Sequence, residues 1–330
     1  MNVLGIESTC DETSASIVKD GRQILSLVTA SSADIHAQYG GVFPELACRR
    51  HIEAIIPVIQ EALSKAKMTP NDIDLIAVAK GPGLVGALLI GMQAAKGLAI
   101  AWGKPLIGVN HVEAHLYAAM MDVKKPLPFP ALGLVLSGGH TLLLKIQDVG
   151  EYTPIGTTVD DALGEAFDKV AILLGLPYPG GPHVEELALR GNPKSHPFRA
   201  GRVKRSPFDF SFSGIKTSVL YAVRDKKDLC PQEKADIAAS FQEAALSDIV
   251  HKTKLALSNE TAIYLGGGVC NNLRLRTLFA QQFPDLNIFW PPKDLCLDNA
   301  AMIGGLGFQK FLRNPSGDPL DMEVSARLNF

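Results

Sequence analysis

Two stretches of the chain share one pattern of apolar and polar positions. In the first, apolar residues 3 to 6 precede a polar turn, and a second apolar run ends at Val18. In the second, ALGLVLSGGHTLLLK at residues 131 to 145 places the turn SGGH between two apolar runs. Each pattern predicts a strand, a turn and a strand. Their recurrence predicts a duplicated architecture with a nucleotide held between two lobes, although two unrelated hairpins would show the same pattern.

The remaining segments alternate between helical and strand periodicity. Residues 51 to 67 carry apolar positions at helical spacing, and IDLIAVAKGPGLVG indicates a buried strand that enters a helix. PLIGVNHVEAH predicts a strand at residues 106 to 109 followed directly by a helix. This alternation predicts an α/β fold. The prolines of PLPFP, residues 126 to 130, cannot continue a helix or a central strand and predict the hinge between two halves.

One apolar stretch raises the question of a membrane span. Residues 81 to 102 are largely apolar, but Gln93 and Lys96 interrupt them. The uninterrupted run of about a dozen residues is the length expected of a buried core helix. We therefore expect a core helix here and no membrane partner.

Composition indicates a globular protein of two domains or two lobes. The 330 residues are 47% hydrophobic and only 20% charged, enough to bury large cores. A net charge of −2 gives no overall attraction to nucleic acid, so a polynucleotide must be held by local basic patches or by other subunits. One basic cluster either contacts phosphate or forms a solvated loop. Its residues are Lys194, Arg199, Arg202, Lys204 and Arg205.

Cysteine usage and the first residues indicate a cytoplasmic protein. The five cysteines are scattered and form no C-x-x-C pair, which argues against a disulfide framework and a zinc ribbon. MNVLGIESTC has neither a basic segment nor a long apolar segment of the kind that signal peptides carry.

HVEAH, residues 111 to 115, spaces two histidines four residues apart on one helix face, where they can chelate one metal ion. The alternative is two separately hydrogen-bonded histidines near a helix start. A zinc protease needs its glutamate directly after the first histidine, whereas Glu113 lies about 200° around the helix from His111. Asp298 is either a helix cap or the carboxylate that completes a metal site.

Two further segments are weaker candidates. GGGVCNNLRLR, residues 266 to 276, follows a strand and enters a helix, but it lacks the last glycine of G-x-G-x-x-G, and the chain has no P-loop motif. The acids Asp160, Asp161, Glu165 and Asp168 precede a Pro/Gly loop, at a spacing typical of a solvated helix face.

Taken together, these motifs resemble, nearly end to end, the TsaD family of tRNA threonylcarbamoyladenosine transferases. The matching segments are GIESTCDETSASIV, YGGVFPELACRRH, GPGLVGALLIG, NHVEAH, LVLSGGHT, GEAFDKVAILLGLPYPGGP, FSFSGIKTSV, GGGVCNNLRLR and CLDNAAMIG. The resemblance implies a two-lobed actin/hexokinase-like (ASKHA) ATPase fold. We expect an N-terminal lobe of residues 1–125, completed by a C-terminal helix at 299–330, and a C-terminal lobe of residues 126–298.

The resemblance also implies the site. It implies one Fe(II) per subunit, or Zn(II) as a substitute, held by His111, His115 and Asp298, and an ATP or adenylate ligand in the interlobe cleft. The implied ligand contacts are Val135, Leu136, Ser137, Gly138, Gly139, Asp168, Gly181, Glu185 and Asn272, of which Glu185 stands where aspartate is common. No general base is identified, and Glu12 and His140 are candidates only by their position in the two turns.

The implied reaction transfers the threonylcarbamoyl group from threonylcarbamoyl-AMP to N6 of adenosine 37 in tRNAs that read codons beginning with A. The implied protein partners are TsaB and TsaE, with a TsaC-type enzyme supplying the donor. The alternatives are an actin-like small-molecule kinase and a nucleotide-binding scaffold without catalysis. A metalloprotease is the least favoured alternative, because Val112 stands where that class has its catalytic glutamate.

Overall fold

The computed structural model describes residues 1–32, 44–123, 126–224 and 229–328, which fall into two compact units. The first unit comprises Met1–Leu127 and Pro291–Phe330, and the second comprises Pro128–Trp290. The second unit therefore ends before the expected boundary at residue 298. Asp298 belongs to the same unit as His111 and His115, so the three expected metal ligands share one compact body.

The first unit contains a five-stranded mixed sheet. Its strands are β1 (Asn2–Glu7), β2 (Glu12–Lys19), β3 (Gln23–Ser31), β4 (Leu75–Gly81) and β5 (Leu106–Asn110). Its helices are α1 (Pro44–Ala66), α2 (Val85–Trp102), α3 (His111–Met120) and, near the end of the chain, α9 (Ala300–Arg313). The strand order is β3-β2-β1-β4-β5, in which β1, β2 and β3 are antiparallel neighbours and β1, β4 and β5 are parallel.

The second unit repeats this arrangement. Its strands are β6 (Ala131–Leu136), β7 (Thr141–Asp148), β8 (Glu151–Thr157), β9 (Ala262–Gly266) and β10 (Asn287–Phe289). Its helices are α4 (Leu163–Leu173), α5 (Gly180–Ala188), α6 (Ser213–Arg224), α7 (Pro231–Ala256) and α8 (Leu273–Gln282). The order β8-β7-β6-β9-β10 and its directions match those of the first sheet strand for strand. The predicted duplicated α/β architecture is confirmed.

The central strand β1 is apolar at nearly every position because both of its faces are covered. Leu4 and Ile6 belong to a core cluster with residues of α1 and α2. Gly5, between them, points to the other face, where a Cβ would overlap the Ala300 carbonyl oxygen of α9. A strand covered on both faces gives a continuous apolar run rather than alternation.

Helix α2 is, by length and composition alone, apolar enough to cross a membrane. In the structure Met92, Ala95 and Ala99 pack in the same core cluster as β1. The Lys96 ammonium, on the same helix, donates a hydrogen bond to the Met322 carbonyl oxygen at 2.6 Å. The helix is therefore a packed element of the first unit, as the interrupted apolar run predicts.

The C-terminal helix is shorter than the expected span of residues 299–330. Helix α9 ends at Arg313, and residues 314 to 328 follow without helix or strand. Pro315 explains the end, because proline lacks an N–H and disfavours helical backbone in the residue before it. The segment then returns to the sheet, where the N–H of Asp318 donates to the carbonyl of Leu106 at 2.7 Å.

We predict that Gly5→Ala destabilises the first unit by about 1–3 kcal/mol, because the added methyl overlaps α9 backbone that cannot move without opening the core. Gly97→Ala is the matched control. Gly97 lies exposed within α2, where an added Cβ meets nothing within 4 Å, so alanine should stabilise by about 0.5–1 kcal/mol. Urea unfolding of both variants measures the two changes, and equal stability of Gly5→Ala and wild type would contradict the close packing.

Candidate metal centre and nucleotide site

Helix α3 begins directly at the end of β5, and this junction positions both histidines. Asn110 caps the helix, since its side-chain oxygen accepts from the N–H groups of Val112 at 2.9 Å and Glu113 at 3.3 Å. All ten residues of α3 are buried. His111 and His115 lie on successive turns, with ring centroids 4.7 Å apart.

Asp298 completes the group from the other end of the chain. Its Oδ1 lies 3.5 Å from His111 Nε2 and 3.1 Å from His115 Nε2. Asp298 is not the helix cap, because the side chain of Asn299 accepts from the Met302 N–H at 3.1 Å and caps α9. The three side chains offer ligand atoms that all lie within 4.8 Å of one another.

The charges of this group are strongly coupled. Burial lowers the pKa of His111, but the negative charges of Glu7 and Asp298 outweigh burial and raise it well above its ordinary value. Burial likewise raises the pKa of Asp298, while His111 and His115 hold it well below its usual range. The cluster therefore favours positive charge beside these carboxylates.

The donor set fits a metal ion. Both ring nitrogens of His115 are buried and have no hydrogen-bond partner among the described residues. Its Nε2 is close to Asp298, but the two atoms are not aligned as a hydrogen bond. A buried imidazole nitrogen left unpaired costs free energy unless another group occupies its lone pair. Two imidazoles and a carboxylate with converging ligand atoms suit Fe(II) or Zn(II).

Glu7 is a site residue that the sequence motifs did not indicate. It is fully buried at the end of β1, and its Oε2 lies 2.9 Å from His111 Nδ1. Its Oε1 accepts from the Thr9 N–H at 2.7 Å. Because the carboxylate accepts a hydrogen bond from Nδ1–H, Nε2 is the nitrogen of His111 left to face Asp298. The only signal in the sequence was a lone acid ending an apolar strand.

The turn after β1 adds two carboxyl groups beside Asp298. The carboxylates of Asp11, Glu12 and Asp298 form a second group with ligand atoms within 4.8 Å of one another. Burial, followed by the hydrogen bond and charge of Asp11 and the charge of Asp298, raises the pKa of Glu12 to about 10. A carboxyl that keeps its proton at neutral pH cannot accept another, which argues against Glu12 as a general base unless a cation lowers its pKa.

Glu113, between the two histidines, has a structural role. Its carboxylate lies 3.6 Å from the Lys310 ammonium of α9. That contact joins α3 to α9. Glu113 therefore does not face the metal site, as the catalytic glutamate of a zinc protease must. The expectation that it points away from the histidines agrees with this contact.

In the second unit, the turn after β6 and the loop after β9 lie together. The Ser137 N–H donates to the His140 carbonyl at 2.9 Å, and Ser137 Oγ accepts from the His140 N–H at 3.1 Å. Gly267 has φ +96°, and a Cβ there would overlap the backbone of Leu136. Because β6 and β9 are parallel, their carboxyl ends meet at one edge of the sheet, the usual ligand position in α/β folds.

The other expected ligand contacts hold this edge together. Asp168 accepts from the Gly180 N–H at 2.7 Å at the start of α5, and Glu185 accepts from the Leu273 N–H at 2.6 Å at the start of α8. Asn272 caps α8 through the Leu275 N–H, and its amide donates to Gln242 at 2.8 Å. Gln242, which orients Asn272, was not predicted from the sequence.

Three glycines of the expected set have open space above them. A Cβ added at Gly138, Gly139 or Gly181 would meet no heavy atom within 4 Å. Packing within the unit therefore does not require glycine at these positions. A ligand that approaches the backbone closely would require it.

The two sheets have the same strand order and are packed against helices, which is the arrangement of an actin/hexokinase-like α/β fold. The first unit also contains a His–His–Asp group that could hold a metal ion. A family profile described as "TsaD: tRNA N6-adenosine threonylcarbamoyltransferase" matches residues 23–305. The chain belongs to this family.

Relatives match over almost the whole chain. A tRNA N6-adenosine threonylcarbamoyltransferase of Protochlamydia amoebophila (strain UWE25) is 57% identical, covering 99% of this chain and 98% of the relative. One from Anaeromyxobacter dehalogenans (strain 2CP-C) is 50% identical, covering 96% of each.

Solved structures share the fold at low identity. Full-length HypF in its phosphate- and nucleotide-bound form matches with a TM-score of 0.63 and 15% identity, over 96% of this chain and 47% of that one. Component A of the (R)-2-hydroxyglutaryl-CoA dehydratase of Acidaminococcus fermentans matches with a TM-score of 0.55 and 16% identity, over 94% of this chain and 98% of that one. These likenesses support the fold alone.

We predict that Glu7→Gln weakens metal binding by about 10- to 100-fold, because a neutral amide accepts the Nδ1–H hydrogen bond of His111 more weakly than a carboxylate and no longer raises the basicity of the ring. Competition of Zn(II) between the protein and a chelator measures the affinity. Glu113→Gln is the control. It alters a buried acid on the helix that carries the two histidines, but one that contacts Lys310, so its affinity for Zn(II) should equal that of wild type. Wild-type affinity in Glu7→Gln would remove Glu7 from the metal centre.

Proposed function

We propose that this protein transfers the threonylcarbamoyl group from threonylcarbamoyl-AMP to N6 of adenosine 37 in tRNAs that read codons beginning with A. The observation that carries the proposal is 57% identity over 99% of the chain to a relative named for this transfer. The His–His–Asp group supports it, because a small-molecule kinase of this fold has no use for two histidines at a metal site.

The metal that we propose is one Fe(II) per subunit, with Zn(II) as a substitute. His111, His115 and Asp298 would hold it, and Glu7 would keep Nε2 of His111 directed at it. The chemistry that such an ion supplies when bound is Lewis-acid polarisation of a carbonyl or phosphate oxygen. The carboxyl groups of Asp11 and Glu12 beside Asp298 support cation binding, since a cation would offset the unfavourable charging that keeps Glu12 protonated in its absence.

The residues of the second unit would bind the adenylate, as ATP or as the donor. The turn at residues 137 to 139 would present backbone N–H groups to phosphate oxygens, with the open space above Gly138 and Gly139 admitting the ligand. Asp168, Gly181, Glu185 and Asn272 would shape the rest of this site. Val135 and Leu136 are buried in β6 and support the turn from below.

The reaction joins the N6 nitrogen of adenosine to the carbamoyl carbon and breaks the bond from that carbon to the phosphate oxygen, so AMP leaves and the amine loses a proton. The structure does not single out a base: the pKa of Glu12, raised to about 10 by burial and by Asp11, would fall beside a bound cation, and His140 is a candidate by position alone. An anhydride donor has a good leaving group, which lowers the demand on the base.

We further propose that the protein is cytoplasmic and works with TsaB and TsaE, while a TsaC-type enzyme supplies the donor. None of the five cysteines, all of which lie within the described residues, forms a disulfide bond, which supports a reducing compartment. Helices α1 and α2 are in contact near Gly86 and Cys48. Four apolar side chains of these two helices are exposed: Ile52, Ile56, Val85 and Leu89. Exposed apolar groups of this kind support a protein partner on that face.

We predict that His115→Ala and Asp298→Ala each lower transfer of labelled threonine to tRNA by at least about 100-fold, because each removes a ligand of the metal. His251→Ala, an exposed histidine of α7, is the control and should retain full transfer. The assay uses the full chain with its partner proteins, and circular dichroism checks folding. Full activity in both ligand variants would make the histidines structural and favour a nucleotide-binding scaffold.

We predict that Gly138→Val weakens binding of a non-hydrolysable ATP analogue by at least about tenfold while changing stability by less than about 0.5 kcal/mol. The side chain enters open space in the protein but occupies the approach of a ligand to the backbone. Gly214→Val, at an equally open glycine of α6 outside the expected set, should leave binding unchanged. Calorimetric titration measures both affinities, and unchanged binding in Gly138→Val would place the adenylate elsewhere.

A further inference from the structure

Residues 187 to 208 of the second unit contain no acidic side chain but six basic ones. They are Arg190, Lys194, Arg199, Arg202, Lys204 and Arg205. Of the 32 Lys and Arg in the chain, the other 26 face 34 Asp and Glu, so the rest of the protein carries −8 while this segment carries +6. The small net charge is therefore the sum of one strongly basic segment and a remainder of the chain with excess acidic residues.

All six basic residues are exposed. None of them takes part in the ion pairs found between described residues. Some other cations of the same unit are paired, since Lys169 and Lys216 contact Asp161, and Arg274 contacts Glu243. The six residues thus form one run of exposed positive charge outside these ion pairs, which we name the basic segment, residues 190 to 205.

The basic segment is held in place although it contains neither helix nor strand. Three side chains on successive turns of α7 bind its backbone. The pairs are Gln232 Nε2 donating to Arg190 O at 3.1 Å, Asn192 N–H donating to Asp236 Oδ1 at 2.8 Å, and His196 N–H donating to Ser240 Oγ at 3.1 Å. Gly191 fits closely against α7, since a Cβ there would overlap the Ala235 carbonyl.

The far end of the segment is also fixed. The Gly201 N–H donates to the Ser211 carbonyl at 3.2 Å, and the rings of His196 and Phe198 stack with centroids 5.2 Å apart. Because the backbone is already ordered, binding a partner does not carry the entropy cost of folding a disordered tail. The side chains alone must be ordered on contact.

We propose that the basic segment binds the sugar-phosphate backbone of tRNA, an inference that rests on the proposed function for the identity of the RNA. Four of the six cations are arginines, whose planar guanidinium groups match phosphate oxygens in pairs. A polyanion is attracted by a segment that carries +6 and not by the rest of the chain, whose formal charge is −8, so the segment directs the approach.

A protein partner fits the segment less well. Among the described residues of the basic segment itself, no large apolar side chain is exposed, although Leu189, directly before it, is exposed. The core of a protein interface is apolar and poor in lysine, whereas contacts to nucleic acid are dominated by Lys and Arg on phosphate.

The test compares two triple variants of the full-length protein with its partner proteins. Arg202→Gln, Lys204→Gln and Arg205→Gln are combined in one, and Lys19→Gln, Lys67→Gln and Lys254→Gln, three exposed lysines elsewhere, are combined in the control. Both variants lose three positive charges. Binding of labelled tRNA is measured at several KCl concentrations, and KM and kcat for tRNA are measured in the transfer assay.

We expect the segment variant to bind tRNA at least about tenfold more weakly at 0.1 M salt, and the dependence of log affinity on log salt to fall by about 2, because about three fewer phosphates are neutralised. KM for tRNA should rise with kcat unchanged. The affinity of the segment variant for a tRNA that is not a substrate should fall by the same factor, since phosphate contacts carry no sequence information. The control variant should match wild type.

Equal affinity and equal salt dependence in the two variants would overturn the proposal while leaving the transfer function intact. Loss of binding to a partner protein at unchanged tRNA affinity would also overturn it and make the segment a protein interface. If wild type transfers nothing to tRNA, yet the segment variant alone loses salt-dependent tRNA binding, the surface stands and the proposed function fails.

Discussion

The metal centre depends on the close contact between β1 and α9. Gly5 leaves room for the backbone of Ala300, and the Ser14 hydroxyl accepts from the Ala300 N–H at 3.1 Å. These contacts fix the first turn of α9 against β1 and β2, and Asp298 immediately precedes that turn. Since Glu7 ends β1, one packing contact brings a carboxylate from each end of the chain to His111.

Burying so much charge is costly unless the charges compensate one another. His111 lies between Glu7 and Asp298, and both carboxylates favour its protonated form. The turn after β1 adds Asp11 and Glu12, and Cys10 in the same turn has its pKa raised by burial and by these acids. A metal ion held by the histidines and Asp298 would supply positive charge beside these carboxylates in place of the His111 proton.

The two units share one architecture but carry different residues at the equivalent turn. In the first, the turn between the paired antiparallel strands carries acids and lies beside the histidines of α3. In the second, the equivalent turn carries Ser137 and two glycines with open space above them. Carboxylates suit a cation, and exposed backbone N–H groups suit phosphate. The same position therefore occurs in both units, and the residues of the turn distinguish the two.

Local patterns in the sequence determined the strands, the helices, the repeated turns and the placement of His111 and His115 on one helix face. Apolar periodicity and the spacing of side chains on a helix are properties of neighbouring residues, so a local pattern is enough to predict them. Only the tertiary structure decided that Asn299 caps α9 so that Asp298 faces the histidines, that Glu7 orients His111, and that α9 ends at Arg313. It also decided which cations lack an acidic neighbour. Distances between groups far apart in the chain depend on how helices pack on sheets, and no local pattern encodes them.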